Sequence, residues 1–71
     1  MRNQFTAIIE QGERFLIAAC PEVPEAVGQG VTREEALRDL AGSIQSVLDY
    51  RRDEALSRLS TSAEKTVVSI P

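Results

Sequence analysis

The sequence predicts an α+β domain of order β-β-β-α-β, a three- to four-stranded, mainly antiparallel sheet with one long helix on one face. Three observations carry this. Two short apolar runs flank a Gly-containing turn near the start, a threonine-led capping sequence opens a long amphipathic stretch, and a β-branched run, Thr66-Val67-Val68-Ser69-Ile70, follows it. Seventy-one residues give room for a single domain over 1–71. A chain of this size buries only about 60% of its unfolded surface on folding.

Residues 5–10, Phe5-Thr6-Ala7-Ile8-Ile9-Glu10, combine strand formers with partial alternation. Gln11-Gly12-Glu13 is a turn signal, and residues 14–20, Arg14-Phe15-Leu16-Ile17-Ala18-Ala19-Cys20, supply a second strand, so a hairpin is expected. Pro21 and Pro24 then punctuate the chain, because proline cannot donate to a central ladder. Ala26-Val27-Gly28-Gln29-Gly30 reads as a brief third strand weakened by its glycines.

Thr32-Arg33-Glu34-Glu35 is a capping box. The threonine hydroxyl should accept from the amide of residue 35 while Glu35 reaches back to the amide of residue 32. Glu34 and Glu35 also suit the positive end of a helix dipole. Beyond them Leu37, Leu40, Ala41, Ile44, Val47 and Leu48 recur at spacings of three and four, the pattern of an amphipathic helix. Gly42 and Ser43 fall on its polar side. The phase continues to Ala55 and Leu59, with Arg51 inside the stripe. A helix over residues 33–59 would be about 40 Å long, against about 20–23 Å for strands of six or seven residues. Its second half must therefore bend near Arg51 or project past the sheet. Ser60-Thr61-Ser62 ends the pattern, and residues 66–70 are expected to return as a fourth strand beside the first, in spatial order 3-2-1-4.

Composition narrows the function classes. At 42% hydrophobic and 27% charged, the chain has the make-up of a folded domain rather than a disordered one. One cysteine builds no disulfide framework, and without histidine there is neither a zinc site of the finger or hydrolase type nor the commonest general base. A formal charge of −3 has the wrong sign for a dedicated nucleic-acid binder. Met1-Arg2-Asn3-Gln4-Phe5 leads into no apolar h-region, and no stretch approaches the length of a membrane span, so a cytoplasmic domain is expected.

The candidate chemistry is sparse. Glu10, Glu22, Glu25 and Asp39 could be imagined as a carboxylate cluster, but no tight ligand spacing supports one. Cys20 lacks a histidine partner and reads as a small apolar side chain. Gly28 and Gly30 precede a helix, yet Glu34 and Glu35 at its start would repel phosphate, which leaves turn and strand-end roles. Arg51, Arg52 and Arg58 alternate with Asp49, Asp53 and Glu54, as on a solvated, salt-bridged helix face. No catalytic residue, metal site or cofactor is expected.

The sheet does resist a bland reading. Phe5, Ala7 and Ile9 should face opposite to Thr6 and Ile8, and Phe15, Ile17 and Ala19 opposite to Leu16, Ala18 and Cys20. Both faces are thus apolar, and one helix covers only one. An open apolar face of this kind marks an interaction module.

The runs Phe5 to Glu10 and Phe15 to Pro24, followed by Gly28-Gln29-Gly30-Val31-Thr32-Arg33-Glu34-Glu35-Ala36-Leu37, resemble the HicB-like antitoxin family in their motifs, order and intervals. The resemblance covers about residues 4–50 and rests on Pro21, Pro24, Gly30, Thr32, Glu35 and Ala36 as structural positions. It implies a partial ribonuclease-H-like fold, without cofactor, and a non-enzymatic role in a type II toxin–antitoxin system. The implied partner is a HicA-like toxin, an mRNA-cleaving ribonuclease. Where the family usually has Gly after the second Pro, often followed by Cys, this chain has Glu25 and Ala26. Only about a dozen residues follow Leu59, fewer than a helix-turn-helix or ribbon-helix-helix needs, so direct DNA binding is not expected.

On this reading Glu10, Glu22 and Glu25 are candidate toxin contacts. Arg51, Ala55, Leu56 and Leu59 are candidates for an interface in a homodimer or homotetramer. The alternative is an orphan homo-oligomeric module with no toxin. A third class, a metal-dependent nuclease on the ribonuclease-H-like scaffold, would need a set of carboxylates that the first strand does not offer beyond Glu10.

Overall fold

A computed structural model describes residues 4–71; residues 1–3, on which the reading of the chain's start partly rests, lie outside the described residues. The elements are β1 (Ile8–Gln11), β2 (Leu16–Ala19), β3 (Val27–Gly30) and α1 (Arg33–Ser57). The three strands form one antiparallel sheet in the order β1-β2-β3. The expected α+β arrangement of three antiparallel strands and one long helix is therefore present.

The strands are shorter than their apolar runs, for local reasons. The hairpin closes through the amide of Gly12 donating to the carbonyl of Phe15 at 2.8 Å. Ahead of β1, the amide of Thr6 donates to the Glu22 carboxylate at 3.0 Å, a side chain standing where a strand partner would be. Register then sorts the faces. Ile9, Ala18 and Gly28 lie in one cross-strand row facing α1, and Ile8, Ala19 and Val27 in the adjacent row facing away.

The core comprises Ala18, Cys20, Val23, Ala26, Ala36, Leu40 and Ile44, with Phe5, Ile9, Leu16, Val47 and Leu48 packed against it. Small residues dominate because α1 lies directly on β3. A Cβ on Gly28 would come within 2.3 Å of the Leu40 amide nitrogen, and one on Gly30 within 2.6 Å of the Ala36 nitrogen. The glycines that weaken β3 as a strand are what let helix backbone touch strand backbone.

That proximity closes the outer edge of β3. The amide of Val27 donates to Ser43 Oγ at 3.2 Å, that of Gln29 to Asp39 Oδ2 at 2.9 Å, and that of Val31 to Glu35 Oε1 at 3.1 Å. Two residues of strand advance about 6.6 Å and four of helix about 6 Å, so side chains at every fourth helical position meet every second strand amide. The capping box forms as expected: the Glu35 amide donates to Thr32 Oγ1 at 3.1 Å and the Thr32 amide to Glu35 Oε1 at 3.2 Å.

The helix is continuous from Arg33 to Ser57 and does not break at Arg51. At about 37 Å it outruns four-residue strands of about 13 Å, so it projects past the sheet. This corrects the expected fourth strand. Residues 66–70 adopt no strand, and Val67, Val68 and Ile70 are exposed. The helix delivers the chain beyond the sheet, where no ladder partner meets its amides.

Gly42 sits on the solvent side of α1, with nothing within 4 Å of where a Cβ would be. Gly42→Ala should therefore raise stability by about 0.5–1 kcal/mol, through higher helix propensity and a less free unfolded chain. Chemical denaturation checks this, and an unchanged midpoint would contradict it.

Candidate functional site

The connection between β2 and β3 shows how the sequence builds an acidic surface. The amide of Val23 donates to the Cys20 carbonyl at 3.1 Å, and that of Ala26 to the Val23 carbonyl at 2.9 Å. Two successive turns thus bring every third residue inward: Cys20, Val23 and Ala26 are buried. Pro21, Pro24 and Glu25 are exposed and Glu22 half-buried. Among the described residues none has a positive φ, so Glu25 and Ala26 need no glycine's freedom here.

Each acid of this connection is anchored separately. Glu22 accepts from Thr6 Oγ1 at 2.6 Å and from the Thr6 amide at 3.0 Å, and the Cys20 thiol donates to it at 3.2 Å. The Thr6 hydroxyl first, then the Cys20 thiol, hold the Glu22 carboxyl down from its ordinary 4.5 to about 2. Glu25 meets the Arg51 guanidinium at 2.6 and 2.5 Å. The hydrogen bonds from Arg51 keep the Glu25 carboxyl below its ordinary range.

The Glu22 shift has a stability consequence. Its value is lower in the folded than in the unfolded chain, so the unfolded chain binds the proton first as acid is added. The stabilisation is present in full above the ordinary 4.5 and is lost as pH falls through it towards 2. In Glu22→Gln, the fall of the denaturation midpoint across that acid range should become shallower. An unaltered pH profile would show that Glu22 is not anchored in solution.

The imagined carboxylate cluster is dispersed. Glu22 is tied to Thr6 and Cys20, Glu25 to Arg51, and Asp39 to the edge of β3. Glu10 lies exposed on β1, opposite Ile17. Among the described residues no three His, Cys, Asp or Glu side chains gather in a way that could hold a metal ion. No helix of the described residues is long and apolar enough to cross a membrane.

Among the described residues, three apolar surfaces remain besides the exposed segment 66–70. On the sheet face away from α1, Ile8 is 48% and Val27 56% exposed, with Ala19 between them in the same row. At the far end of α1, Ala55, Leu56 and Leu59 are exposed, while Arg51, expected there at an interface, is paired with Glu25 of its own chain. Sequence reasoning missed that pair because its members lie 26 residues apart.

The third surface is a groove of about 680 Å³ beside the residues that lead into β1, walled by Phe5 and Ala7 on one side and on the other by Leu37, Leu40, Ile44 and Leu48 of α1, with Asp49 and Arg52 also in its lining. It exists because the glycines of β3 draw the helix to the opposite edge of the sheet. The signal for it was in the sequence: Gly appears at alternate positions of one strand only.

Comparison with known proteins finds a relative along the full length of the chain. The UPF0150 protein ssl0738 of Synechocystis sp. is 38% identical over 72 residues, an overlap that spans the whole of both chains. No family model matches the chain, and no solved structure matches it.

Proposed function

The chain belongs to the UPF0150 family, and from that premise we propose that it is a HicB-like antitoxin, a binding module that neutralises a HicA-like mRNA-cleaving ribonuclease by direct contact. The observation that carries this reading is the relative's likeness along the full length of the chain, over which the antitoxin-like motifs stand in order. The acidic balance is in keeping with it. A nuclease that grips RNA needs a cationic surface, and eleven acids against eight bases complement such a surface and speed association.

On this proposal Glu10, Glu22 and Glu25 face the toxin. Glu22 and Glu25 sit on an ordered connection whose partners favour the ionised form. The module works by binding, in the cytoplasm, without cofactor and without touching DNA itself. Co-expression with a small basic protein encoded beside it, followed by pull-down, should recover a complex that weakens as salt rises. Absence of any complex would overturn the reading.

A second reading, an orphan homo-oligomeric module, is favoured by the exposed row of Ile8, Ala19 and Val27. Self-association also suits the end of α1, where Ala55, Leu56 and Leu59 stay in water. Sedimentation of Leu56→Glu combined with Leu59→Glu separates the surfaces. A fall in mass assigns the contact to the helix end, and an unchanged mass moves it to the sheet.

A further inference from the structure

The two edges of the sheet are not equivalent. The β3 edge is closed by Glu35, Asp39 and Ser43 of α1. With Val27 and Gln29 pointing their amides outward, alternation turns those of Gly28 and Gly30 towards β2. It then turns Ile17 and Ala19 towards β1, and their partners Ile8 and Glu10 inward. The amides of Ala7, Ile9 and Gln11 therefore line the other edge. The Thr6 amide, directed at Glu22 on the β2 side, fits the same alternation independently. Among the described residues no strand lies beyond β1. At Ala7 that edge meets the groove between Phe5, Ala7 and the helix, whose lining is mainly apolar but includes Asp49 and Arg52.

We propose that residues 66–70 of a second copy of this chain dock as a strand on the β1 edge, and that two copies exchange these segments reciprocally. Thr66-Val67-Val68-Ser69-Ile70 is the chain's most strand-prone run outside the sheet, and nothing covers it: Val67 is 88%, Val68 85% and Ile70 73% exposed. Its alternation matches the site. With Val68 and Ile70 turned into the groove against Leu40, Ile44 and Leu48, Thr66 shares their face while Val67 and Ser69 fall on the outer one.

Exchange between copies, rather than folding back, follows from where the segment lies. The helix carries it past the sheet, and Lys65, Thr66 and Val67 rest beside Arg52, Asp53 and Leu56 while the chain's own groove stays open. The apolar end of α1, with Leu56 and Leu59, leads directly into the exchanged segment, so both would be buried in one continuous contact. Edge addition of this kind draws affinity from main-chain hydrogen bonds and specificity from alternate side chains. The inference holds whether or not the chain has a nuclease partner.

Sedimentation of the full chain should give the mass of two copies. Val68→Pro, which removes a backbone donor, and Val68→Lys, which puts a charge in the groove, should each return it to one copy with helical circular dichroism retained. A mixture of one chain carrying Ala7→Cys and another carrying Val68→Cys, both with Cys20→Ala, should on oxidation give a covalent pair of unlike copies, above what either gives alone. A single-copy mass for the parent would overturn the proposal, as would a two-copy mass that survives both Val68 variants. So would a cross-link that forms only within one chain bearing both cysteines.

Discussion

Gly28→Ala should be the most damaging conservative change in this protein. The added methyl would lie 2.3 Å from the Leu40 nitrogen, 2.7 Å from the Ala36 carbonyl oxygen and 2.7 Å from the Leu40 Cα, all backbone atoms. A side chain can turn aside, but here the whole helix must lift from β3. The expected loss is at the top of the usual overpacking range, about 3 kcal/mol. Lifting the helix also breaks the bonds from Val27 and Gln29 to Ser43 and Asp39, so a partial adjustment leaves strand amides without acceptors. Urea denaturation with a circular dichroism readout measures the loss. A midpoint close to that of the parent would mean that helix and strand are not in backbone contact.

Leu40→Ala is the second. Leu40 is 3% exposed, the more deeply buried of the two large side chains, with Ile44 at 7%, that α1 puts into a core otherwise made of Ala, Cys and Val. Its removal should cost about 2–5 kcal/mol, the sum of lost transfer energy and the cavity left behind. A domain of this length holds only about 4–11 kcal/mol in total. Much of the population should therefore unfold on warming to physiological temperature. Thermal denaturation followed by circular dichroism gives the answer. A shift of only a degree or two would show that the groove beside Leu40 collapses to fill the space.

The elements written in contiguous residues were legible. The hairpin around Gly12, the capping box of Thr32 and Glu35 and the apolar phase from Leu37 to Leu48 are all specified within a few positions. Features that depend on which elements meet were not. The burial of Val23 and Ala26 follows from two stacked turns that two prolines disguise. Gly28 and Gly30 read as weak strand residues until α1 is laid across them. Residues 66–70 have every local property of a strand and form none, because a strand is defined by its neighbour. The candidate contacts Glu10, Glu22 and Glu25 are exposed or part-exposed, but no local pattern signals that two of them are fastened by Thr6 and Arg51, 16 and 26 residues away.

The row of helix side chains along β3 also limits how the sheet itself can be extended. A sheet with two open edges is a bifunctional monomer: each addition leaves a fresh end, and the product is a chain without a defined length. Occupying the β3 amides with Glu35, Asp39 and Ser43 denies that edge to an added strand. Two sheets therefore cannot join through their β3 edges, and addition of a strand is confined to the β1 side. Three hydrogen bonds along one edge thereby remove one of the two routes by which an open sheet of this kind extends into a fibre.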